Sequence, residues 1–142
     1  TAIQRQQRPY QSFRSTNFLA VREVMVNCPF DERFKSYGYE DVLFGKTMEK
    51  ASVPILHIDN PMSFEIFEEN EHFVSKTEEG LRTLYEFRNE LQGYSRLLDR
   101  IQTLPHTPIR CWHQLFGAIV RRHLTSRRPS LWVFNLYKIR AS

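Results

Sequence analysis

Tyr37-Gly38-Tyr39-Glu40-Asp41 places two adjacent carboxylates directly after a glycine set between aromatic residues. A carboxylate so placed can take a proton from a substrate hydroxyl, and the flanking rings offer flat faces on which a sugar can stack. The same pair suits the first turn of a helix, where negative charge complements the macrodipole, so residue types alone leave catalysis and capping both open. His57 lies inside the apolar run Val53 to Asp59, where a core histidine with one satisfied hydrogen bond is the first reading. His72, His106, His113 and His123 have no spacing that converges on a metal. Glu65, Glu68, Glu69 and Glu71 read as a solvated loop and helix start. Cys28 and Cys111, far apart and without a CxxC context, read as free thiols in a reducing compartment.

The elements that must position these residues follow from periodicity. Asn17 to Arg22 is a short apolar run that predicts a strand, followed by a helical turn at Arg22 to Asn27 and a break at Pro29. Phe30 to Tyr39 has no clean period and reads as an ordered loop, with Phe30, Phe34 and Phe44 expected to pack as core around the motif. From Glu40 the positions Leu43, Phe44, Thr47, Met48 and Ala51 predict a helix that stops near Ser52. Val53 to Asp59 predicts a buried strand closed by Asn60-Pro61, with a further extended piece at Met62 to Phe67. A long amphipathic helix is expected through Phe73, Leu81, Leu84, Leu91, Leu98 and Ile101, starting at Asn70 or at a capping box of Ser75 and Glu78, and weakened or bent at Gly80 and Gly93. Leu104 to Pro108 reads as a linker, with helices at Ile109 to Thr125 and Leu131 to Ile139. The order of elements gives α/β or α+β, with α/β the class taken, and has too few strands for a closed sheet, the missing ones being expected upstream. Residues 1–104 form one part and 105–142 a basic, aromatic-rich helical tail.

Charge is divided along the chain. His106 to Ser142 holds seven basic residues and no acid, while Thr1 to Pro105 holds 13 basic and 16 acidic ones. The tail interleaves these charges with Trp112, Phe116, Leu131, Trp132, Phe134 and Tyr137. That mixture is compatible with helices packed on the body, with an anionic membrane surface, or with nucleic acid, the last being the least favoured. No run approaches the roughly 20 apolar residues that a spanning helix requires, and the polar, basic start has no signal core, so a cytoplasmic location is expected, peripheral at the inner membrane face if the tail binds lipid.

The blocks NFLAVREV, FDERFKSYGYEDVLFG and VPILHIDNP together resemble the C-terminal, acceptor-binding half of family 2 glycosyltransferases with the GT-A fold, in particular their galactosyltransferase-like group. The similarity runs from about Ser12 to Leu84, and the closing RPSLWVFNLYKI is similar to the tail of bacterial members. The resemblance implies a partial GT-A fold and an inverting transfer from a nucleotide-sugar donor to a saccharide or lipid-linked acceptor. It implies Asp41 as general base, Glu40 as a ligand of a neighbouring acceptor hydroxyl, Tyr37, Gly38 and Tyr39 as walls of the acceptor pocket, and Asn17 on the donor side. It also implies a divalent cation, Mn or Mg, but Phe64 stands where many relatives have a metal-binding His; either that ligand is absent, or the register differs, or His57 or Asp59 substitutes. No Asp-x-Asp occurs, and the chain is expected to be a piece lacking the nucleotide-binding half, inactive alone and prone to self-association. The rival reading is a non-catalytic module whose basic tail binds an anionic membrane or nucleic acid, with Glu40 and Asp41 only capping a helix.

Overall fold

The computed structural model describes residues 1–63, 65–102 and 116–140, with the side chains of 101, 102, 139 and 140 set aside. Regular structure among the described residues is helical: α1 (Ala2–Gln6), α2 (Arg22–Asn27), α3 (Glu40–Lys50), α4 (Asn70–Glu86), α5 (Arg88–Leu91), α6 (Arg96–Gln102), α7 (residues 116–124) and α8 (Leu131–Arg140). No strand forms among them, which corrects the α/β class and the partial GT-A fold expected above. The chain divides into two compact units, Thr1–Phe64 and Glu65–Ser142. The boundary expected at 104/105, the linker at 104–108, Phe64 and Cys111 all lie outside the described residues. No helix among the described residues is long and apolar enough to cross a membrane.

Both predicted strands of the first unit fail for one reason: apolar alternation supplies a face, but a strand exists only where another backbone takes up its hydrogen bonds. Of Asn17 to Arg22, Phe18 reaches the aromatic core, while Leu19 is 99% exposed. In Val53 to Asp59 the alternation is real, since Val53, Ile55 and His57 are half-buried and Pro54, Leu56 and Ile58 exposed. Their backbone is served by side chains of α1. The Gln6 carboxamide donates from Nε2 to the Ile55 carbonyl at 2.9 Å and accepts from the His57 N–H at 2.8 Å. One amide thereby bridges the two groups that flank Leu56, as the N–H and C=O of a single residue on a parallel neighbour would. Arg5 donates to the Ile58 carbonyl at 2.8 Å, and Asp59 accepts the Ala2 N–H at 2.6 Å. Helix α1 itself is closed by a reciprocal capping box between Thr1 and Gln4 that the sequence reading passed over.

The core of this unit is aromatic. Phe13, Phe44 and Met48 are buried, and Tyr10, Val24, Met25, Phe30, Val53 and Ile55 pack around them. Phe30 stacks on Phe44 with centroids 4.1 Å apart, and Phe18 meets Phe13 edge-on at 5.3 Å. Gly45 lets the segment before Phe13 lie directly on α3, because a Cβ there would collide with the Tyr10 carbonyl oxygen. Cys28 is a buried free thiol.

The second unit is built from helices against helices. The long helix expected from Asn70 onward is three shorter ones: α4 begins at Asn70, with Glu69 as N-cap, and the chain breaks again between α5 and α6, where Gly93 takes φ 78°. Gly80, by contrast, is buried within an uninterrupted α4. Ser75 and Glu78 do not cap α4 but hold Arg121 of α7, whose Nε lies 3.1 Å from Glu78 Oε1 and whose Nη2 lies 3.3 Å from Ser75 Oγ. The Tyr137 hydroxyl of α8 donates to the same carboxylate oxygen. Beneath this polar tie Val74, Leu124 and Tyr137 form a core with Val120, Val133 and Phe134 against it. Asn70 donates to the Ser126 carbonyl at 2.7 Å and fixes the turn after α7.

Candidate functional site

The first turn of α3 is set by two successive left-handed residues. Gly38 has φ 101° and Tyr39, the N-cap, φ 68° and ψ 0°. Glycine adopts such a conformation freely, whereas a tyrosine there is strained and must be held by its surroundings. Tyr39 is half-buried, and burial with the nearby Asp41 charge pushes its phenol above the usual range, Arg14 acting in the opposite sense. The pair of left-handed residues turns the chain sharply into the helix and sends the two carboxylates to different surroundings.

Glu40 joins Tyr37 and Gly38 in lining a cavity of about 390 Å³ whose other walls are Phe30, Asp31, Glu32, Phe34 and Ser36. Asp31 is clamped by Arg33, whose Nε and Nη2 lie 3.0 and 2.6 Å from its oxygens, and these bonds hold its carboxyl below the usual range. Asp41 lies on the other side of the turn. Its side chain is 17% exposed, and Arg14 Nε stands 3.8 Å from Oδ2. Burial raises its pKa above the ordinary aspartate value; Arg14 opposes this, the Glu40 charge reinforces it, and bonds from the Val42 and Asp41 N–H groups oppose it again.

Asp41, Glu40, Tyr37, Gly38 and Tyr39 are therefore brought together around one turn, but Tyr37, Gly38 and Glu40 line the cavity whereas Asp41 and Tyr39 do not. Asn17 is exposed in a bend and, among the described residues, makes no hydrogen bond to that turn. Three contributors were missed or misassigned. Arg14 gave no local signal, because its pairing with Asp41 depends on how the chain folds over α3. Phe30 and Phe34 were expected as core; Phe30 packs on the core cluster and Phe34 is not part of it, and both line the cavity. No family model, curated protein or solved structure matches the chain.

A divalent cation would need converging ligands, and among the described residues no three His, Cys, Asp or Glu side chains could hold one. His57 Nε2 lies 2.9 Å from the Pro9 carbonyl, and Asp59 accepts the Ala2 N–H with Arg5 3.6 Å away, so both alternative ligands are committed elsewhere. Among the described residues the donors around the turn do not make a metal site. What the turn can do is accept protons: a half-buried carboxylate of raised pKa stands behind a second carboxylate that borders an aromatic-walled hollow.

Proposed function

We propose that this chain supplies the acceptor side of a sugar transfer from a nucleotide-sugar donor. The observation that carries the reading is the Gly38–Tyr39 left-handed pair, which presents Glu40 to the cavity and keeps Asp41 one residue behind it with an elevated pKa. The Phe30, Phe34 and Tyr37 rings suit the apolar face of a saccharide, and Glu40 and Ser36 suit its hydroxyls. In the reaction the acceptor oxygen forms its bond to the anomeric carbon as the bond to the nucleotide diphosphate breaks on the opposite face. For Asp41 to take the hydroxyl proton during that attack, the reacting hydroxyl must reach beyond the cavity to the Arg14 side of the turn, while Glu40 holds a neighbouring hydroxyl at the cavity wall. Burial raises the Asp41 pKa, which suits a proton acceptor.

The test is sugar transfer by the native gene product, with a panel of nucleotide sugars and saccharide acceptors. Asp41→Asn keeps the shape but cannot accept a proton, and is expected to lower kcat about 10²–10⁴-fold without lowering the melting temperature at neutral pH. Glu40→Gln is expected to act mainly on acceptor KM. Unchanged turnover in Asp41→Asn removes Asp41 from the mechanism, and a loss confined to Glu40→Gln transfers the base role to the cavity carboxylate.

A further inference from the structure

Helix α8 is apolar on two faces. Val133, Phe134 and Tyr137 turn inward onto Val74 and Leu124, and Lys138 covers the Phe134 ring at 4.8 Å. On the other side Leu131 is 81% and Trp132 71% exposed, with the exposed Asn135 between them one turn on and Leu136, 36% exposed, at its edge. A helix of a water-exposed unit ordinarily carries polar residues on that face, as α4 does with Glu71, Arg82 and Glu86. A tryptophan beside a leucine at a helix start is the pairing that settles at the boundary between lipid headgroups and acyl chains.

The charges nearby name the partner. Arg127 and Arg128 are exposed in the turn just before α8, and Arg128 lies within about 11 Å of Leu131 by chain reach alone. Arg122 is exposed on α7, and no acid occurs from His106 to Ser142, although the exposed Glu71 of α4 stands 3.9 Å from Arg121. Arg121 does not belong to this set, since Glu78 and Ser75 occupy it. We infer that the outer face of α8, with Arg122, Arg127 and Arg128, docks on an anionic lipid surface: Leu131 and Trp132 enter the interface while the arginines meet the headgroup phosphates. Nucleic acid would use the arginines but gain little from Leu131. The inference does not depend on the sugar-transfer reading.

The experiment is co-sedimentation of the full chain with vesicles of phosphatidylcholine containing phosphatidylglycerol, and with phosphatidylcholine alone, at low and high salt. Binding is expected to the anionic vesicles only and to weaken with salt. Leu131→Ser with Trp132→Ser is expected to lower partitioning about tenfold or more at unchanged melting temperature. Arg122→Gln, Arg127→Gln and Arg128→Gln together should lower it about 100-fold. No binding to anionic vesicles at low salt overturns the proposal, as does binding that the double serine variant leaves intact. A solution dimer that the serine variant dissolves would assign the face to a second copy of the chain, and preferred binding to duplex nucleic acid insensitive to that variant would assign the arginines to it; either result also overturns the proposal.

Discussion

The two units reach stability by different means. In Thr1–Phe64 short helices and irregular segments are gathered around stacked phenylalanines, and side chains take over backbone bonds that a sheet would otherwise make. In Glu65–Ser142 helices pack on helices, with one carboxylate, Glu78, joined to both Arg121 and Tyr137 above the apolar layer. An irregular unit can hold a strained turn such as Gly38–Tyr39, because the loop before it need not follow a helical or sheet period. A helical unit offers smooth faces instead, and its distinctive surface is the apolar side of α8. The candidate chemistry and the candidate docking face thus fall on architectures suited to each.

Substitutions sharpen that contrast, and the largest effect belongs to the aromatic core. Phe44 is 2% exposed and touches three other rings, so Phe44→Ala is expected to cost about 3–5 kcal/mol in denaturant unfolding. A loss under about 1 kcal/mol would mean that the phenylalanine cluster is not what holds the first unit. Tyr137→Phe removes one donor from a charged acceptor and is expected to cost about 1.5–3 kcal/mol, the Glu78–Arg121 pair remaining. If that variant melts like the parent, the tie is ornamental and the apolar contacts alone hold α8. Gly45→Ala gains helix propensity but meets backbone, which cannot step aside, and a net loss of about 1–2 kcal/mol is expected. Stabilisation instead would show that Tyr10 does not lie on α3.

The smallest effect concerns pH. Asp41 binds its proton more tightly folded than unfolded, so its contribution to stability is greatest below the unfolded pKa and is lost as pH rises through the raised folded value. Asp41→Asn should abolish that part of the pH dependence of unfolding, and Arg14→Gln should move it to higher pH by removing the opposing charge. Titration of Asp41 below the ordinary aspartate value, followed by NMR, would reverse the electrostatic account of the turn.

Much of the local structure was legible beforehand, and the reason is locality. The acids at the head of α3, its apolar period, the helical period of α4 and the helix at α8 depend on neighbours three or four residues away, and these are written in order along the chain. Val53 to Asp59 was misread for the complementary reason. Its alternation is intact, but being a strand is a property of a pair, and here the partner is a glutamine side chain. Arg14 was invisible in the same way, as were the different surroundings of Glu40 and Asp41.

By itself the sequence determined the helical period of α3, α4 and α8, where carboxylates crowd, and that positive charge accumulates toward the C-terminal end. Only tertiary structure decided that Asp41 faces Arg14 while Glu40 faces the cavity, that Arg121 is spent on Glu78, and that Leu131 and Trp132 stay outside. Helical periodicity and charge are additive along a chain, whereas burial, pairing and exposure are set by residues distant in sequence that arrive at one place only when the core closes.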